Sequence, residues 1–266
     1  MKVCCSSQSF ARTLAAGGLT QLEWVDLCAG ELMLDGVEFV RSHFPRFDAE
    51  YIAQLKKLCA DRCLTVAGMH HDEAFDPNDV DRHVAALVHT LEVAAGLGAP
   101  LVRFGLLEVG GSPVLPWREL IRGLSAACIQ AKQHNITLAI EPRSRTLVAE
   151  PADVKRVFKE CDSAWLRLAA VANILADARS DAWDEALICA VIVCAPMQRL
   201  DTFGADEGVD YLQALTTLWQ LRYRGFVSIQ YEGDEDESDA VSRAVAWLRG
   251  MLAKDALRAA ATGPGA

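Results

Sequence analysis

The stretch Ile136-Thr137-Leu138-Ala139-Ile140-Glu141-Pro142 decides how this chain is read. Its near-continuous apolar character suits a strand buried on both faces, as in parallel sheets. It ends in one carboxylate, followed by a proline that lacks an amide hydrogen and stops sheet pairing. Working outward, comparable runs lie at roughly 2–6, 36–40, 64–70, 100–105, 166–171, 188–194 and 226–231. With 136–141 they recur at intervals of about 30 residues, each separated by a longer amphipathic stretch, which is the signature of βα units around a parallel sheet. Eight such units match the closure of a (β/α)8 barrel. An open doubly wound sheet is the alternative, and no GxGxxG follows the first run to support it.

The intervening stretches carry helix start signals. Thr20-Gln21-Leu22-Glu23 reads as a capping box. Asp48 precedes Ile52, Leu55 and Leu58 at helical spacing, and Pro77 or Asp79 opens a long helix ending at Gly96 or Gly98. Pro116, Glu150-Pro151 and Ser238 open three more. The sixth unit leaves room only for a short helix around Trp183 to Leu187.

At 266 residues the chain is close to the roughly 250 typical of one barrel. No linker or composition break divides it, so a single domain over 1–258 is expected, with a frayed tail of small residues over 259–266. Apolar residues make up 52% of the chain, enough for a large core, and the net charge is −10. That charge argues against a nucleic-acid partner, since phosphate binding needs clustered Lys and Arg. The nine cysteines lie mostly in apolar runs without CxxC spacing and read as buried thiols of a cytoplasmic protein. Neither a signal peptide nor a membrane-length apolar run is expected.

In a barrel, ligands bind where the strands end at their C-terminal side. Glu38 sits amid apolar neighbours in the second run, His70 and His71 end the third, and Arg103 lies in the fourth. Glu141 ends the fifth, followed by Arg143, while Gln230 and Glu232 end the eighth. A charge inside a barrel is costly unless paired or bound to a metal. Convergence of these groups gives a polar pocket, with Glu38 and Arg103 open to a second reading as an ion pair that only holds the barrel. His70 and His71 are equally readable as loop residues, and Glu232 as the start of the solvated acidic loop Asp234-Glu235-Asp236-Glu237.

Taken in order, Cys5-Ser6-Ser7-Gln8-Ser9-Phe10, Leu34-Asp35-Gly36-Val37-Glu38, Leu101-Val102-Arg103-Phe104, Leu138-Ala139-Ile140-Glu141 and Arg224-Gly225-Phe226-Val227-Ser228-Ile229-Gln230-Tyr231-Glu232 run nearly end to end. In this order the chain resembles the sugar phosphate isomerase/epimerase proteins of the xylose-isomerase-like TIM barrel superfamily. The resemblance implies one divalent metal (Mn²⁺, Mg²⁺, Co²⁺ or Zn²⁺) held by a Glu, an Asp, a His and a Glu ending strands five to eight. It also implies two glutamates that move protons beside a carbonyl. Glu141 matches the first ligand and the base, and Glu232 the acid. The other ligand positions depart from the pattern: Ala170-Val171-Ala172-Asn173 on strand six, no His from Ile188 to Pro196, and Gln230 on strand eight.

The expectation is therefore an isomerase- or epimerase-like protein for a small sugar or sugar phosphate. It has either no cofactor or a weakly bound divalent metal at Glu141. Glu38, His70, Arg103, Arg143 and Gln230 contact the substrate, and the reading admits a homo-oligomer. The alternative is a non-catalytic barrel that binds a small polar ligand or supports a partner enzyme.

Overall fold

Along the fifth strand the side chains alternate between two environments. Leu138 and Ile140 face the large core between sheet and helices, while Ala139 lies in a smaller cluster inside the barrel with Leu101, Ala169, Ile192 and Cys194. The same alternation sends Val102 and Phe104 outward. It leaves Arg103 among the inward positions. The outer layer is filled by large apolar groups, while the interior mixes apolar side chains such as Leu101 and Ile192 with small and polar ones.

The computed structural model describes residues 1–108, 116–177 and 181–261. Eight parallel strands close into a barrel in sequence order: β1 (Lys2–Ser6), β2 (Gly36–Val40), β3 (Thr65–Phe75), β4 (Leu101–Leu106), β5 (Thr137–Glu141), β6 (Leu166–Val171), β7 (Ala190–Met197) and β8 (Phe226–Tyr231), which pairs back to β1. The helices are α1 (Ala11–Ala15), α2 (Gln21–Gly30), α3 (Ala49–Asp61), α4 (Val80–Leu97), α5 (Trp117–His134), α6 (Pro151–Cys161), α7 (Ala172–Asp177), α8 (Asp181–Leu187), α9 (Tyr211–Gln220) and α10 (Glu237–Ala261). The (β/α)8 barrel expected from the sequence is the observed fold.

The motif residues have local duties. Ser7 Oγ accepts the Val40 amide at 3.0 Å, and Ser9 Oγ accepts the Tyr231 amide at 2.9 Å while donating to the Ile229 carbonyl. The segment after β1 is thereby sewn to the ends of both neighbouring strands. Asp35 Oδ2 accepts the Val3 amide at 2.8 Å. Gly36 allows β2 to approach its surroundings closely, since a Cβ there would sit 2.5 Å from the Thr65 carbonyl oxygen and 2.9 Å from the Phe226 ring.

The cap of α2 is the expected box, with Thr20 and Glu23 satisfying each other's amides. Asp48 caps α3 through the Tyr51 amide. The last helix departs from expectation. Its cap is Asp236, which accepts the Asp239 amide at 3.0 Å, rather than Ser238. Glu237 is not part of a solvated loop: only 5% exposed, it accepts from the Arg12 and Thr13 amides and ties α10 to α1. The helix runs through Ala261, past the expected start of the tail at 259, and residues 262–266 lie outside the described residues.

Two strands differ in extent from the apolar runs that announced them. β3 continues to Phe75, which pairs with Leu106 across a register shift after His71, so both histidines lie in strand rather than loop. β7 starts at Ala190 rather than 188, because Ile188 and Cys189 form the turn that leaves α8. Ile188 is 75% exposed, an apolar residue outside any strand. The sixth unit holds two short helices, and α7 begins directly where β6 ends.

Candidate functional site

The inward positions of β2, β4, β5 and β8 build an alternating ladder of charges. Ser228 Oγ donates to Glu38 Oε2 at 2.8 Å. Arg103 Nε donates to Glu38 Oε1 at 2.5 Å and its Nη1 to Glu141 Oε2 at 2.6 Å. Arg143 Nε donates to Glu141 Oε1 at 2.8 Å. The order Ser228, Glu38, Arg103, Glu141, Arg143 thus runs from the closed interior, where Glu38 is 0% exposed, to an arginine whose side chain is 52% exposed.

Neighbouring backbone explains why Arg143 turns back into the mouth. Thr146 Oγ1 donates to the Arg143 carbonyl at 2.8 Å, and the Arg143 amide donates to Val148, closing the loop after β5 on itself. Gly105 is the register partner of Glu141, and a Cβ there would stand 3.4 Å from Arg143 Nε. The guanidinium therefore packs against bare backbone.

Burial works against the ionised form of Glu141, but the positive charges and hydrogen bonds of Arg103 and Arg143 outweigh it and hold its pKa below the usual carboxylate value. Burial likewise opposes the Arg103 cation, and the negative groups around it, Glu38 and Glu141 among them, keep it charged. His70 is pushed well below the ordinary histidine value by burial, then by the Arg103 and Arg143 charges, so the ring is neutral.

Above the ladder the mouth has two adjoining chambers. The outer one, of 660 Å³, is lined by Glu108, Glu141, Arg143, Glu150, Asn173 and Trp183 among others, together with Gln230 and Glu232. The inner one, of 300 Å³, is lined by Gln8, His70, His71, Asp72, Arg103, Arg143, Gln230 and Glu232. Arg143, Gln230 and Glu232 belong to both. Three side-chain atoms of wall residues are buried without a hydrogen-bond partner: Gln230 Nε2, His70 Nδ1 and His71 Nε2. Buried polar groups are normally satisfied, so these atoms are free to bond to a molecule that enters the mouth.

Of the residues singled out in the sequence, His70, Arg103, Glu141, Arg143, Gln230 and Glu232 gather at this mouth. Glu38 lies beneath it, with both oxygens engaged, and borders neither chamber. His71 lines the inner chamber too, and its Nδ1 lies 2.7 Å from Thr90 Oγ1 on α4. Sequence reasoning missed Ser228 and Cys194, whose thiol lies 3.8 Å from Glu141 Oε2. Counting back by two from Gln230 would have found Ser228, and Cys194 is its register partner on β7. Asn173 and Trp183 carried no such signal, because they stand on the short helices of the irregular sixth unit.

The donor set fits a divalent metal poorly. Both oxygens of Glu141 already accept guanidinium hydrogens, and among the described residues no three His, Cys, Asp or Glu side chains gather to hold an ion. Where a second and third ligand would be needed, β6 ends at Val171 and β7 presents Cys194 and Pro196.

Fold and mouth together define an eight-stranded α/β barrel with a polar pocket at the C-terminal ends of its strands. The family described as xylose isomerase-like TIM barrel matches residues 29–251, and the chain belongs to it. Among solved structures, it is similar to a 3-keto-D-glucoside 4-epimerase from E. coli, with 18% identity, 94% of this chain and 99% of that one covered, and a TM-score of 0.71. It is also similar to a probable 3-DHS dehydratase from Bacillus anthracis, at 14% identity, 94% and 99% coverage and a TM-score of 0.75. A D-psicose 3-epimerase from Clostridium cellulolyticum shows 13% identity, 95% and 99% coverage and a TM-score of 0.74. At these identities the likeness is one of fold. No curated relative matches the chain by sequence.

Proposed function

We propose that this chain is an isomerase- or epimerase-like protein that takes a small sugar or sugar-derived molecule at the C-terminal mouth of its barrel. The observation that carries the reading is the set of unpartnered buried atoms, Gln230 Nε2, His70 Nδ1 and His71 Nε2, on residues that line the adjoining polar chambers. A ligand rich in hydroxyl and carbonyl oxygens supplies the missing partners. The solved structures of similar fold include enzymes whose names specify sugar epimerisation, which agrees with that ligand class.

Proton transfer beside a carbonyl needs a base that is free to accept. Glu141 stands at the right depth, but two guanidinium groups hold both of its oxygens and lower its basicity. Glu232 is exposed and makes no side-chain ion pair among the described residues, so it is the better-placed proton carrier, with Glu141 orienting Arg143. The engagement of Glu141 also favours a second reading, in which the mouth binds its ligand without converting it.

One experiment separates the two. Keto-sugars and sugar phosphates are screened by thermal shift, and each binder is then incubated in D₂O and followed by proton NMR. Exchange of the hydrogen beside the carbonyl, abolished in Glu232→Gln, supports the isomerase-like reading. Binding without exchange supports the binder. A panel in which no sugar binds overturns both.

A further inference from the structure

The ladder raises the question of what cation serves the mouth. Glu141 is 5% exposed and its carboxylate is ionised, so it needs positive charge beside it. That charge is covalently present: Arg103 on one oxygen at 2.6 Å and Arg143 on the other at 2.8 Å. A metal ion at Glu141 would have to displace at least one of them, and would leave a guanidinium of the ladder without its carboxylate. Arg103 has no other place to go, since it is 1% exposed and also bound to Glu38.

The inner chamber shows what this arrangement can receive. Its donors converge from Arg103, Arg143 and the unpartnered Gln230 Nε2. Its positive charge is already spent, however: Glu38 and Glu141 stand behind the two arginines, and Asp72 and Glu232 share the wall. Carboxylates outnumber guanidinium groups, so the field at the chamber does not favour a phosphate or a second anion. It favours an uncharged oxygen that accepts hydrogen bonds.

We propose that Arg103 and Arg143 occupy Glu141 in place of a divalent metal, and that Arg143 with Gln230 receives an uncharged carbonyl or hydroxyl oxygen in the inner chamber. The proposal rests on the sugar-site reading for the identity of the ligand, but its metal and charge components stand without it. Arg143 is the cation that lines both chambers, and Arg103 is a positioning residue that fixes Glu141 from below.

The test uses Mn²⁺ alone and inorganic phosphate alone, so that its outcome is independent of any sugar. Free Mn²⁺ is followed by its EPR signal as the full-length protein is added, for the wild type and for Glu141→Gln and Glu232→Gln. The expected result is no loss of free signal at millimolar protein, or a loss that is the same in all three proteins and so belongs to the acidic surface. One Mn²⁺ bound per wild-type chain and released by either substitution would overturn the proposal. Glu232→Gln alters an exposed residue and keeps the comparison available should Glu141→Gln fold poorly. In the second arm, ³¹P NMR line width and thermal shift are read with inorganic phosphate. No saturable response is expected. A saturable response that Arg143→Ala removes would show a chamber built for an anion and contradict the uncharged ligand.

Discussion

Arg103 is the residue on which most of the site depends. It is a single guanidinium shared by two buried carboxylates on different strands. Arg103→Met should lower stability at neutral pH by about 3–5 kcal/mol, the usual effect of breaking a buried ion pair by removing one partner. Without Arg103, buried Glu38 keeps only the Ser228 hydroxyl, and urea unfolding of the two proteins at neutral pH measures the loss. Glu141→Gln should behave differently. Glu141 has a lowered pKa, so it contributes stability above pH ~4.3 that is lost as pH falls through its folded value. The Gln variant should show a shallower acid limb, with a cost at neutral pH of about 1–3 kcal/mol because Arg103 keeps Glu38. Loss of ligand response in a folded Glu141→Gln protein would mark a role in the site. Melting far earlier than this would mark a purely structural partner. A second titration belongs to His71. His71 is 1% exposed, and its pKa is lowered to about 4, first by burial and then by the Arg41 charge. Stability should therefore fall as pH drops from about 6.5 to 4, by on the order of 3 kcal/mol. His71→Gln should flatten the curve in that window, and a wild-type curve already flat there would contradict the assignment.

At the level of elements, β2 shows how a short motif is spent on assembly as well as chemistry. In Leu34-Asp35-Gly36-Val37-Glu38, Asp35 satisfies an amide of β1, Gly36 admits the Phe226 ring and the Thr65 carbonyl, and Glu38 pairs with Arg103. Gly36→Ala should destabilise by roughly 1–3 kcal/mol through overpacking, measurable by denaturant unfolding, because the contacting carbonyl belongs to the neighbouring strand and cannot swing away. Much of this was legible beforehand. Strands buried on both faces announce themselves by apolar runs, and caps such as Thr20 and Asp48 by their side chains. The errors have a common cause, which is that local pattern does not register a partner from elsewhere in the chain. Ile188 extended an apolar run but lies in a turn, β3 persists past His70 because Phe75 finds Leu106, and Glu237 looked solvated until Arg12 and Thr13 enclosed it.

For the whole molecule, the sequence located the mouth better than it described its contents. Strand ends pointed to Arg103, Glu141 and Gln230, since a charged or amide residue closing an apolar run has few other reasons to be there. Their pairing could not be read, because Glu38, Arg103 and Glu141 are brought together only by barrel closure and register. The tie between Arg143 and Glu141 depends further on the folded loop after β5 and on the space left by Gly105. The described residues contain no helix long and apolar enough to cross a membrane. The central claim is a sugar-type ligand site that supplies its own cations. It is tested most directly by titrating the keto-sugar panel against the protein in excess EDTA, reading thermal shift for the wild type and Arg143→Ala. The account predicts that at least one unphosphorylated sugar raises the wild-type melting temperature with metal removed, by a stabilisation approaching about 2.7 kcal/mol at 100 times its Kd, and that Arg143→Ala abolishes the shift. A sugar that binds only when Mn²⁺ is restored, or one that binds Arg143→Ala as well as the wild type, would contradict it.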